Sequence, residues 1–186
     1  MEIEPEVLPG GVVMRLAAPG DAAALCAAYV DNRKHLQPWE PRRPEDFFTV
    51  GDQRIRLEDR LREFAEGRLV PWHLEADGRI VGAITLTGIV LGPFRSACLG
   101  YWIAADQQGR GLATAAVERV CGVARETVGL HRIEATTLVD NAGSQRVLAK
   151  CGFERIGLAP RYLAINGEWR DHRMFQRILH DDDPQI

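Results

Sequence analysis

Lysine is nearly missing from this chain. Lys34 and Lys150 are the only two in 186 residues, and arginine supplies the rest of the positive charge. That bias, like the abundance of alanine, is read as genome composition rather than function. The net charge is −3, so the positive field that generic nucleic-acid binding needs is absent, and nucleic acid is not an expected partner. Cysteine is also scarce. Cys26, Cys98, Cys121 and Cys151 form no close pair, which leaves neither a disulfide framework nor metal-ligand spacing. The five histidines include no i, i+4 pair, so no metal is expected. No apolar run reaches the ~18 residues that cross a bilayer. The start, Met1-Glu2-Ile3-Glu4-Pro5-Glu6, lacks the basic and apolar segments of a signal peptide, so the expected location is the cytoplasm, with no membrane partner. Internal repeats and low-complexity linkers are absent.

What remains is one domain's length of ordinary globular composition, with 46% hydrophobic and 26% charged residues. Its most informative stretch is Gln108-Gly109-Arg110-Gly111-Leu112-Ala113, between an apolar run ending at Ala104 and a long amphipathic pattern. A strand that enters a glycine turn and then a helix start is an anion site. Main-chain N–H groups converge there, and the helix N-terminus adds partial positive charge. Glycine lets that backbone approach a phosphate, because no Cβ intervenes. A Walker loop is excluded, since Leu112 and Ala113 stand where lysine and Ser/Thr belong. A dinucleotide fingerprint is excluded by the two spaced glycines and their place past mid-chain. An ordinary glycine-rich strand–helix turn is the remaining structural explanation.

Downstream, His131 to Leu138 reads as a strand, Asn141-Ala142-Gly143-Ser144 as a cap-and-turn cluster opening a helix to about Lys150, and Gly152-Phe153 as its stop. The Gln-x-x-Gly-x-Ala pattern from Gln108 to Ala113 resembles the pyrophosphate loop of the GNAT N-acetyltransferases. The later order of strand, Asn-x-x-Ser, helix and Gly-Phe resembles the second half of the same fold. Three further segments resemble the RimJ/RimL branch of that superfamily, the ribosomal-protein alanine N-acetyltransferases, and within it the RimJ type. They are Asn32 to Pro41, Phe94 to Tyr101, and Tyr162 to His172.

The resemblance implies an α/β, single-domain GNAT fold: a mixed, mostly antiparallel central sheet with a splayed strand pair, flanked by helices. It implies acetyl-CoA as co-substrate. Backbone around Trp102, Ile103 and Ala104 would bond the pantetheine arm. Gln108, Gly109, Arg110, Gly111, Leu112, Ala113 and Thr114 would cradle the pyrophosphate, and Asn141 and Ser144 would hold the pantetheine side. Ser144 is the candidate general acid for the departing thiolate. Its alternative is a helix-start hydroxyl that satisfies a backbone N–H. The branch's C-terminal glutamate has no match here, where Pro160-Arg161-Tyr162 stands, so the family base is unassigned. Glu40 is the weak candidate for base or amine recognition, with Asp171 behind it. Trp39 and Tyr101 are candidate acceptor-pocket walls. The implied acceptor is the N-terminal amine of a protein, a ribosomal one foremost. The alternatives are a small amine, or a non-catalytic acyl-CoA-binding regulator. The oligomeric state is left at monomer or homodimer.

The segment reading gives a tail over residues 1–10, the acetyltransferase domain over 11–178 and an acidic tail over 179–186, with Asp181-Asp182-Asp183-Pro184 disordered. Val12 to Leu16 is a first strand, and Asp21 caps a helix to about Val30. A Pro-rich loop, Gln37 to Pro44, holds Trp39. One charged helix runs from Glu45 to Glu66, with Arg42, Arg43, Arg54, Arg56, Arg60 and Arg62 either facing an acidic partner or forming a solvated face. Trp72 to Ala76 and Ile80 to Thr87 form a hairpin across Asp77-Gly78. Leu99 to Ala104 follows, and a last hairpin turns at Asn166-Gly167. Cys121 falls on the apolar stripe Val117, Val120, Ala124 and Val128 of the long helix, so it reads as a buried small hydrophobe.

Overall fold

The computed structural model describes residues 3–182. Its strands are β1 (Glu6–Leu8), β2 (Val12–Leu16), β3 (Val70–Ala76), β4 (Arg79–Val90), β5 (Ser96–Ile103), β6 (Arg132–Leu138), β7 (Glu154–Ile165) and β8 (Glu168–Ile178). Its α-helices are α1 (Ala22–Asp31), α2 (Arg33–Leu36), α3 (Val50–Ala65), α4 (Leu112–Val123) and α5 (Ala142–Lys150). The strands make one sheet in the order β1-β2-β3-β4-β5-β6-β8-β7. Every neighbouring pair is antiparallel except β5 and β6, which run parallel.

That parallel pair positions the site. Its register runs from Ser96↔Arg132 to Leu99↔Ala135 and stops. Beyond it, Gly100–Ile103 stays with β4 and Thr136–Leu138 with β8, so the sheet parts into a gap. Side chains alternate across β5. Ala97, Leu99 and Ile103 join the main core with α4, while Trp102 also packs on the cluster of Leu25, Tyr29 and Leu36 on the other face. Both faces of the central strands are therefore covered, and Trp72, Leu74 and His73 of β3 are all buried. Of the stripe read on the long helix, Val117, Val120, Cys121 and Ala124 are at most 3% exposed, while Val128, past the end of α4, is only partly buried. Cys26 and Cys151 are buried as well, and all four cysteines are free.

Both hairpin turns fall where the sequence puts them, with Asp77 and Gly78, then Asn166 and Gly167, at positive φ. Other boundaries differ. Residues 6–8 of the segment read as a tail pair with β2 across Pro9-Gly10-Gly11, because a free sheet edge lay open to them. Residues 183–186 of the acidic tail lie outside the described residues. The single helix expected over 45–66 is broken at Thr49. That residue is extended, and its hydroxyl accepts the Asp52 N–H at 3.3 Å, so Glu45–Phe48 stays a separate 3-10 turn. Asp21 precedes α1, but its carboxylate makes no bond that caps α1. It accepts from Ala18 N–H, Arg15 and His73 instead. Within the arginine group, Arg43, Arg56 and Arg62 are ion-paired to Glu40, Asp52 and Asp59, the pattern of a balanced, solvated face. Among the described residues, no helix is long and apolar enough to cross a membrane.

Candidate active site

The gap between β5 and β6 opens into a cleft of about 690 Å³. Its walls include Trp39, Tyr101, Trp102 and Ile103, then Gln108, Gly109, Gly111, Leu112, Ala113 and Thr114, then Asn141 and Ser144. Segments 40 residues apart in sequence therefore meet on one hollow. Local chemistry explains the loop. Gly109 has φ 74° and Gly111 φ 79°, the left-handed region that β-carbon-bearing residues rarely adopt. With Gly111 as N-cap, the first N–H groups of α4 have no helical partner and point into the cleft with the positive end of the dipole.

The strand wall is set by hydrogen-bond alternation. Ala104 N–H donates to Val81 C=O at 2.8 Å. In an antiparallel pair every second residue turns its main chain toward the partner, so Trp102 also faces β4. The main chain of Tyr101 and Ile103 faces the gap, in place of the Trp102 and Ala104 groups expected from sequence. Ala104 is buried and off the cleft wall. Arg110 is off it too, with Nη1 3.4 Å from Gln107 Oε1.

On the opposite wall Asn141 caps α5. Its Oδ1 accepts the Ser144 N–H at 3.0 Å. The serine hydroxyl is therefore not needed as a cap and lies 2.8 Å from the Tyr101 hydroxyl. Burial pushes the Tyr101 phenol up to about 12, against the opposing pull of its bond to Ser144. Burial likewise raises the Cys121 thiol to about 11, so it is protonated at neutral pH.

Glu40 stands apart from the cleft. It lines an adjoining cavity of about 440 Å³, with Tyr29, Arg43 and Asn166. Leu36 borders both spaces. Burial raises the Glu40 carboxyl, and Arg43 at 3.4 Å opposes the shift. Its carbonyl accepts the Asn166 N–H at 2.9 Å, which ties the Trp39 loop to the β7–β8 turn. Asp171 accepts the Arg161 N–H at 2.8 Å and holds the bulge in β7, so it serves the turn rather than the cleft.

Several cleft residues escape the sequence reading, and three of them bear on the site: His35, Arg146 and Lys150. His35 Nε2 lies 3.2 Å from Ile103 O and 3.1 Å from Gln108 Nε2, strapping α2 to both the strand wall and the glycine loop. Nothing in the linear sequence marks it. Arg146 and Lys150 line the cleft one helical turn apart on α5. Their i, i+4 spacing after Asn141 and Ser144 was the available signal.

Residues 12–154 match the acetyltransferase (GNAT) domain family. The chain is 35% identical over 164 residues to the ribosomal protein uS5 alanine N-acetyltransferase of Escherichia coli, covering 87% of this chain and 84% of that protein. It is 35% identical over 162 residues to the probable N-acetyltransferase YjcK of Bacillus subtilis, covering 83% and 86%. Among solved structures, RimJ of Mycobacterium smegmatis in complex with CoA-disulfide superposes with a TM-score of 0.88 at 37% identity, over 94% of this chain and 86% of that one.

Proposed function

We propose, because this chain belongs to the acetyltransferase (GNAT) family, that it transfers acetyl from acetyl-CoA to the N-terminal α-amine of a protein, with an alanine-starting ribosomal protein as acceptor. The observation that carries the cofactor half is the loop at 109–114, whose unpartnered N–H groups open onto the same cleft as Ser144. Likeness to a uS5-alanine enzyme over most of both chains supports the acceptor. The residues fit the co-substrate. The glycine cradle and helix start suit a diphosphate, Arg146 and Lys150 add positive charge, and the gap in the sheet exposes main-chain groups of Tyr101 and Ile103 to an amide-bearing arm.

Holding a thioester beside an amine supplies most of the rate by positioning. Nitrogen attacks the carbonyl, the C–S bond breaks, and Ser144 donates to the departing sulfur. A dedicated base is a smaller requirement for this acceptor. An α-amine has a pKa of about 7.7–8.0 against about 10.4 for lysine, so roughly a fifth to a third is neutral near pH 7.4. Glu40, in the adjoining cavity that shares Leu36 with the cleft, takes the remaining proton.

Thiol release separates the readings. An alanine-starting peptide should support turnover, and the same peptide with its amine blocked should not. Turnover with small amines alone would replace the acceptor assignment, and tight CoA binding without turnover on a broad amine panel would make the protein a regulator. Gly111→Val tests the cradle. The space around a Cβ at Gly111 is open, so the penalty is the backbone's. A left-handed β-branched residue costs about 1–3 kcal/mol, and the loop relieves it by turning its N–H groups away. CoA affinity measured by calorimetry should fall roughly 10- to 100-fold. Unchanged affinity in a folded variant would show that the phosphates bind elsewhere.

A further inference from the structure

Two hydroxyls 2.8 Å apart hold one proton between them. Which residue supplies it decides what the other can do. Tyr101 has a single proton, and its nearest alternative acceptor, the Ser144 carbonyl, is 3.4 Å away, long for an O–H···O bond. A phenol is more acidic than an aliphatic alcohol and is the better donor of the two, and if Ser144 donated instead the phenol proton would have only the Ser144 carbonyl at 3.4 Å within the protein. If Tyr101 donates, the leftover proton is the serine's. It emerges into the cleft that Ser144 lines, where a ligand can take it. The raised pKa keeps the phenol protonated, and hence a donor, throughout the neutral range.

We propose that Tyr101 is the positioning residue for Ser144: it donates to Ser144 Oγ and so aims the serine's own proton at the sulfur that leaves. The inference rests on acetyl transfer with Ser144 as donor. Polarisation along the pair adds to the effect, because an oxygen that accepts a hydrogen bond donates its own proton more strongly. The pair supplies hydrogen bonds and no net proton. The amine lone pair forms the C–N bond, the C–S electrons go to sulfur, the proton lost by nitrogen goes to Glu40 and on to solvent, and the thiolate takes its proton from solvent after it leaves. Tyr101 and Ser144 finish as they began. Tyr101 thus leaves the acceptor-pocket role expected of it and joins the leaving-group side.

A double-mutant cycle tests this. Tyr101→Phe should lower kcat roughly tenfold with KM for acetyl-CoA unchanged, the effect of one lost hydrogen bond. The Tyr101→Phe, Ser144→Ala double variant should be no slower than Ser144→Ala alone. If Ser144→Ala leaves kcat intact, the donor assignment itself is wrong. If Ser144→Ala is slow but Tyr101→Phe matches wild type, or the two losses multiply, only the positioning role is overturned. A difluorinated tyrosine at position 101 covers the case in which Tyr101→Phe misfolds. It keeps the shape and ionises at lower pH, and a phenolate cannot donate. The alkaline limb of the kcat profile should therefore move to lower pH, and an unmoved limb would refute the role.

Discussion

Ser144→Ala is expected to lower kcat about 100-fold, at the low end for loss of a general acid, while CoA affinity changes little. The geometry separates this loss from a structural one. The start of α5 is held by the Asn141 side chain on the Ser144 N–H, a bond that alanine keeps. The serine Oγ serves Tyr101 and the cleft. Truncation leaves the Tyr101 proton without its acceptor, at a stability cost of about 1–3 kcal/mol that a thermal melt would register separately. Pre-steady-state thiol release with saturating acetyl-CoA and an alanine-starting peptide is the direct measurement. Ser144→Thr, which retains a hydroxyl, should recover part of the loss. Full turnover in Ser144→Ala would mean that thiolate departs without help from this wall.

Where sequence and structure agree, the determinant is local. Gly109 and Gly111 announce the loop because only a residue without Cβ adopts their φ cheaply. Asn141 announces a helix start by its own side chain, and Asp77-Gly78 a hairpin by its two positive φ angles. Where they part, the determinant lies across the fold. Nothing near Glu6 shows that an open edge of β2 lies ready to pair with it. Thr49 caps α3 only because its backbone turns extended there, and the local run Phe47-Phe48-Thr49-Val50-Gly51 does not by itself fix that turn. Trp102 and Ala104 lie at the end of the strand that borders the gap. Which residues face the gap depends on the β4 register, fixed by Gly82↔Ile103 and its neighbours, and no local pattern encodes it. His35 reaches the cleft through the close of α2 on β5, a contact 68 residues long in sequence.

Asp21 shows the same limit with the largest stability effect expected in the molecule. Read along the chain it is a helix cap. In the fold it is the hub of a partly buried charge cluster that joins the turn before α1 to β2 and β3. Arg15 donates to both its oxygens at 2.8 Å, and His73 Nδ1 lies 2.8 Å from Oδ2. Arg15 also bonds Glu75 at 2.8 Å. Burial alone would raise the Asp21 carboxyl, but the bonds from His73, Arg15 and the Ala18 N–H outweigh it and hold the group well below the usual carboxylate range. Asp21→Asn leaves the Arg15 guanidinium half-paired and should cost about 3–5 kcal/mol. For a chain of this length that lowers the melting temperature by roughly 10 °C or more. The pH dependence identifies the cause. A carboxyl depressed by folding contributes its full stability above its unfolded pKa of about 3.9 and loses it as pH falls toward the folded value. The gap between wild type and Asp21→Asn should therefore narrow as pH falls below about 4. Asp21 is off the cleft wall, so CoA affinity of the folded variant at pH 7 should match wild type. A small gap at neutral pH, or one that persists unchanged into acid, would show that the Asp21 charge does not hold α1 against the sheet.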